Sequence, residues 1–276
     1  MPELPEVQAL AERLGDAVVG LRWKSAQPIQ FSGLKTFDPA PEKLAGQEVT
    51  SVGRRGKFVV MEVGDLKVLF HLSQGGRVDI EQPPKQTRPK FGVVRFVFED
   101  GPSVLLKEFG TERKAGWWVL RDNEGPLEAL GPEPFSEEFE KLILEGDDGR
   151  RLHTMLRDQR TIAGIGRGFS DDILHRAELS PFASLKSLSP EHRERLVEST
   201  RKVLTEALEV ERRRSGGLPT KLGDRFAVHR RFGQPCPRCR GDLHRVSYES
   251  HEVVYCPACQ TGGKVLADRR LSRLIK

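Results

Sequence analysis

Cysteine is scarce in this chain, with four in 276 residues, all of them in two Cys-x-x-Cys pairs. Two disulfides are one use for them, but paired Cys-x-x-Cys knuckles in a chain without a secretion signal favour a metal site. Long apolar runs are absent too, and none approaches the roughly 20 residues that a membrane-spanning helix needs. The N-terminus carries neither the basic nor the apolar region of a secretion signal, so the expected location is the cytoplasm. What remains is 37% hydrophobic and 31% charged, a balance that fits a globular protein long enough for two domains, or for a large domain and a small module.

The net charge of +5 is unevenly spread. Residues 1 to 149 hold 19 Lys and Arg against 25 Asp and Glu, whereas residues 150 to 276 hold 26 against 15. The second half is therefore the half that faces a polyanion, because a phosphate backbone attracts such a surface through counterion release whatever its base sequence.

Three segments follow one another. From about 20 to 122, KFVVMEV, LKVLFHL, GVVRFVFED and SVLLKEF alternate or run apolar between Gly, Asp and Pro breaks, which predicts a β-sandwich or barrel. A first helix over about 5 to 15 is expected to pack on it, and the proline-rich GPLEALGPEPFS (125 to 136) reads as a linker. From about 137 to 215 apolar residues recur three and four apart in four helical stretches. Ser189 and Pro190 supply the cap and first turn of the last one. The stretch 215 to 225 reads as a basic loop, and the cysteine pairs come after it.

Several short motifs carry chemistry. If Met1 is removed, Pro2 of MPELPEV becomes a free secondary amine beside Glu3, with Glu6 one helical turn on. An α-amino group with a pKa near ~8 is far more often the unprotonated nucleophile at neutral pH than a lysine is. In QRTIAGIG, Gly164 and Gly166 break the helix and free backbone amides at the start of the next one, which makes a candidate anion site. Cys236, Cys239, Cys256 and Cys259 are two pairs separated by sixteen residues, the pattern of a closed four-thiolate zinc site on a ribbon hairpin.

MPELPEV, RRGKF (54 to 58), LGPEPFS (130 to 136), DQRTIAGIG (158 to 166) and the cysteine pairs together resemble the formamidopyrimidine-DNA glycosylase and endonuclease VIII family of bacterial DNA glycosylases, nearly end to end. The resemblance implies an α+β, multi-domain fold. Residues 1–130 would form a β-sandwich with an N-terminal helix, 131–228 a helical domain with a helix-two-turn-helix motif, and 229–276 a zinc ribbon with a basic tail. It implies a monomer, associated with the bacterial nucleoid, that acts on double-stranded DNA with damaged bases or abasic sites. The expected activity is that of a bifunctional glycosylase and AP lyase of base-excision repair, working through a Pro2 iminium on a flipped nucleotide. Glu3 would be the general acid, Glu6 would orient the amine or the N-terminal backbone, and Lys57 would reach a phosphate or the leaving group. The alternative is a non-catalytic relative that binds abasic or distorted DNA.

Departures from the family pattern cluster in the expected DNA contacts. His71 in HLSQGG matches a family histidine that contacts DNA, but Gln74 stands where a gap-filling methionine is usual. Phe109 and Arg113 in EFGTERKAG are the candidates for the rest of that wedge. After Gly166 the phosphate-binding asparagine is replaced by Arg167, and in the zinc hairpin the family arginine is His251. Because that arginine is tied to the second, δ, elimination, β and β,δ products both stay open.

Overall fold

The computed structural model describes residues 1–112, 114–122, 125–219, 225–248 and 251–267. They form two compact units, one of the described residues among 1–129 and 208–219 and one of those among 130–207 and 225–267. Among the described residues no helix is long and apolar enough to cross a membrane.

The first unit begins with helix α1 (Leu4–Val18), whose residues Leu4, Val7, Leu10, Ala11, Leu14 and Val18 fall on one stripe and are buried. That stripe faces strands β2 (Val49–Arg55) and β3 (Phe58–Val63). Helical spacing of apolar residues thus fixes which face of α1 meets the sheet. One antiparallel sheet pairs β2 and β3 with β4 (Leu66–His71) and β8 (Gly116–Leu120), in the order β2-β3-β4-β8. The other contains β1 (Trp23–Pro28), β5 (Gly76–Glu81), β6 (Gly92–Phe98) and β7 (Ser103–Glu108), in the order β1-β6-β7-β5.

Phe96 joins the two sheets. Its ring lies 5.1 Å from Trp23 of its own sheet, and 5.5 Å from Trp117 and 6.2 Å from Phe70 of the other. The sequence left sandwich and barrel open, and the two separate four-stranded ladders decide for the sandwich. Arg95 is also buried, and its Nε donates to Glu81 at 2.8 Å, where the Ser103 hydroxyl donates as well. Burial raises the Glu81 pKa, but the Arg95 and Ser103 hydrogen bonds outweigh it and hold the carboxyl below its ordinary range. The loop segment after residue 215 also belongs here, since Leu218 and Val78 exchange backbone hydrogen bonds and Leu218 is buried.

In the second unit, helix α2 (Glu137–Glu145) is capped by Ser136 Oγ, which accepts from Phe139 N. Helices α3 (Leu152–Arg157) and α4 (Arg167–Arg176) pack on each other. Helix α5 (Pro190–Arg212) starts where Ser189 Oγ accepts from His192 N, and its residues from Leu208 onward count with the first unit. The antiparallel hairpin β9 (His244–Ser247) and β10 (Glu252–Tyr255) leads into the short helix α6 (Pro257–Thr261).

Candidate functional site

Glu3 is the N-cap of α1, and its backbone N–H donates to Glu6 Oε2 at 2.7 Å. This is the return half of a capping box, and it fixes the backbone next to Pro2. Pro2, Glu3 and Glu6 are all buried, with Glu3 at 3% and Glu6 at 0% exposure, while Met1 is 42% exposed. Two carboxylates this deep at the N-terminus of a surface helix are more than solubility requires.

Lys57, expected at the start of a strand, sits instead in the two-residue turn between β2 and β3. Gly56 supplies the positive φ of 57° that the turn needs. Its side chain is buried, at 5% exposure. Arg54 Nη1 donates to the Gly56 carbonyl at 2.8 Å and Arg54 Nε donates to Gln8 of α1 at 3.1 Å, so the lysine turn is tied to the helix that carries Glu3.

His71 ends β4 in register with Phe58, and the rings lie 4.8 Å apart. Burial, helped by the Lys57 ammonium, pushes its pKa down to about 4. The imidazole is therefore neutral at physiological pH. Nδ1 accepts from Ser73 N at 3.2 Å, which leaves Nε2 as the protonated nitrogen, able to donate to a phosphate oxygen.

The 72–76 turn and the 109–115 loop touch. A Cβ on Gly75 would lie 2.1 Å from Gly110 N, so only glycine fits. The Glu108 carboxylate accepts from Gly110 N and from Ala115 N, each at 2.8 Å, and clamps both ends of the loop. Gln74 is exposed on the turn. Phe109 is 39% exposed, with its ring 5.0 Å from Phe91. Arg113, the other wedge candidate, lies outside the described residues.

In the second unit one side chain shapes the glycine turn. Gln159 accepts from Gly164 N at 3.0 Å, and its amide donates to the carbonyls of Ile165 at 2.7 Å and Arg157 at 2.9 Å. Gly164 takes the positive φ of 92°, whereas Gly166 is extended and serves as N-cap of α4. Arg167 opens the helix and is exposed. Asp172 accepts from the backbone amides of Ala227, Val228 and His229 at 2.7, 2.9 and 3.2 Å. Asp171 meets His229 Nδ1 at 2.6 Å and accepts from Val254 N of β10 at 3.3 Å. Burial drives the Asp171 pKa upward. Asp171 thus ties the ribbon hairpin to α4, and Asp172 holds the segment 227–229 on the same helix.

His251 stacks on Tyr248 at 4.5 Å with the rings 6° from parallel. Burial, followed by the charges of Arg157 and Arg167, brings its pKa down to about 4, so it too is neutral at physiological pH.

The four cysteine Sγ atoms all lie within 4.8 Å of one another. Cys236 and Cys259 are 3.9 Å apart and Cys239 and Cys256 are 3.5 Å apart, far beyond the ~2.05 Å of a disulfide. Sulfurs at the corners of a tetrahedron with metal–sulfur bonds of ~2.3 Å would sit about 3.8 Å apart, so the donor set fits such an ion.

A family model for the formamidopyrimidine-DNA glycosylase N-terminal domain matches residues 1–118, and one for the H2TH domain of the same enzymes matches residues 130–216. The formamidopyrimidine-DNA glycosylase of Thermus thermophilus is 32% identical over 95% of this chain and 100% of its own length. This chain belongs to the formamidopyrimidine-DNA glycosylase family. The family comprises DNA glycosylases of base-excision repair, and AP lyase activity is known in it. The crystal structure of the MutM (Fpg) protein from Thermus thermophilus superimposes with a TM-score of 0.80 at 30% identity, covering 96% of this chain and 100% of that one. The Lactococcus lactis Fpg in complex with DNA containing an abasic site gives 0.82 at 23% identity over 94% of this chain and 99% of that one, a likeness of fold.

Within this glycosylase fold, several residues did not stand out in the sequence. Arg54, Glu108, Gln159, Asp171 and Asp172 act by binding backbone or side-chain atoms distant in the chain. For the aspartates a signal was available, since two adjacent carboxylates on a helix with an apolar face call for partners. For Arg54, Gln159 and Glu108 the only sign was their place in RRGKF, DQRTIAGIG and EFGTERKAG, which says nothing of their partners.

Proposed function

We propose that this glycosylase removes oxidatively damaged bases and nicks the resulting abasic sites through an iminium formed on Pro2 after loss of Met1. The observation that carries the reading is the burial of three ionisable groups at the start of α1 and in the β2–β3 turn: Glu3, Glu6 and Lys57 are 3%, 0% and 5% exposed.

In this mechanism the Pro2 nitrogen lone pair attacks C1′ of the flipped nucleotide and the glycosidic bond breaks, the base leaving with a proton. Glu3 protonates the sugar ring oxygen as the ring opens. A secondary amine yields a cationic iminium, which acidifies the C2′ proton. Loss of that proton expels the 3′ phosphate, and water then hydrolyses the iminium to restore the amine. Glu6 positions the Pro2 backbone by holding Glu3 N–H, Lys57 reaches a phosphate or the leaving group, and His71 Nε2 contacts a phosphate of the DNA backbone.

On this reading residues 1–130 carry the chemistry, and residues 131–228 and 229–276 grip the duplex, a monomer acting in the cytoplasm on nucleoid DNA. Gly166, Arg167 and His251 contact phosphates, while Gln74, Phe109 and Arg113 occupy the gap left by the flipped base. One structural zinc held by Cys236, Cys239, Cys256 and Cys259 keeps the ribbon folded, and four thiolates leave it no open position for water.

Borohydride trapping on duplexes with oxidised bases or an abasic site tests the reading. The processed protein should form a stable covalent adduct, and Pro2→Gly with Met1 retained should form none. Failure of the processed wild type to trap on any abasic duplex would overturn the enzyme in favour of a DNA-binding relative.

A further inference from the structure

Arg157 is the last residue of α3 and is half-buried. Among the described residues no carboxylate lies within ion-pairing distance of it, and the adjacent Asp158 is taken by Arg150, whose Nη1 is 2.8 Å away. A partly desolvated guanidinium without a counterion is costly in the free protein, and a second cation beside it makes matters worse. Arg167 is that second cation. Burial first, and the Arg167 charge second, lower the Arg157 pKa.

Three segments of the second unit are tied to one another. The Gln159 amide holds the carbonyls of Arg157 and Ile165, which sets the end of α3 against the entry to α4. Arg151 of the α3 N-cap donates to the Tyr248 hydroxyl at 3.0 Å, and the His153 ring lies 5.8 Å from that of Tyr248. His251, stacked on the same tyrosine, is thereby brought to α3. The acid that faces Arg157 electrostatically is Asp171, which is occupied by His229 and Val254 N. The charges of Arg157 and Arg167 thus act on each other, and both act on the neutral His251 imidazole.

We propose that Arg157 is a DNA-phosphate ligand of this chain and that, with Arg167 and His251, it holds one backbone phosphodiester. The guanidinium fork suits two phosphate oxygens at once. An incoming phosphodiester supplies the charge that the fold withholds from Arg157. The assignment rests on the DNA-binding reading above.

Equilibrium binding of the full-length protein to a duplex with a stable abasic analogue, measured by anisotropy over a salt series, tests it. Arg157→Gln and Arg157→Met should each weaken binding by roughly tenfold near 0.1 M salt and make the log–log salt slope shallower by about 0.9. Arg157→Lys should keep the slope. Because no ion pair of the guanidinium with a described residue is lost, neither neutral variant should lower the thermal midpoint of the free protein, and a rise supports the assignment. An unchanged slope in both neutral variants, with wild-type binding intact, overturns the Arg157 assignment alone. Wild-type protein that binds no duplex would overturn the DNA reading and this site with it.

Discussion

Arg54 donates to the carbonyl oxygen of Gly56 across the first hairpin, and the same guanidinium reaches Gln8 on α1. The turn that presents Lys57 is thus fastened to the helix that presents Glu3, although the residues are about fifty positions apart.

Arg54→Ala should therefore slow abasic-site nicking by roughly tenfold or more, since small misplacements of reacting groups cost that much. Duplex affinity should change far less. Single-turnover rates beside equilibrium binding separate the two, and an unaltered rate would mean that the turn holds Lys57 without Arg54.

Glu6 offers a second test of positioning. Glutamine keeps an acceptor for the Glu3 amide and alanine does not. Glu6→Ala should cost about 1 kcal/mol of stability, as lost caps do, and should cut borohydride trapping by roughly tenfold. Glu6→Gln should recover the stability. Equal trapping by both variants and wild type would remove Glu6 from the mechanism.

Metal analysis should return about one zinc per chain, as a closed four-thiolate site implies. Cys256→Ser should lose the metal together with most of the duplex affinity. A preparation made without chelators that contains no zinc would refute the site.

Acid should weaken the fold through His71. Its folded pKa of about 4 lies below the ~6.5 of an unfolded histidine, so between these values the unfolded chain binds the extra proton. The stability tied to the neutral ring is complete above pH ~6.5 and is lost progressively as the pH falls towards 4. Urea midpoints at pH 7.5 and 5 should differ more for wild type than for His71→Gln. Parallel curves would show that His71 is not a source of the acid loss.

Much of this protein is legible along the chain because the relevant physics is local. The apolar stripe of α1 follows from a 3.6-residue period, and α2 begins where Ser136 offers a cap. The cysteine spacing already specified a four-thiolate cluster before the sulfurs were seen together. Even so, Lys57 lies in a turn and not on a strand, because Gly56 takes the positive φ that closes the hairpin one residue later than the apolar pattern implies.

Local pattern thus specified most of the elements, the glycine turn before α4, the ribbon and the groups at the N-terminus. Which strands share a sheet, the clamping of the 109–115 loop by Glu108, and the hold of Asp171 on the ribbon hairpin and of Asp172 on residues 227–229 came only with the folded chain. It alone brought Arg157 and His251 within the field of Arg167. The reason is physical: periodicity and capping act over a few neighbouring residues, whereas a buried charge is defined by whatever the folded chain brings to it from afar.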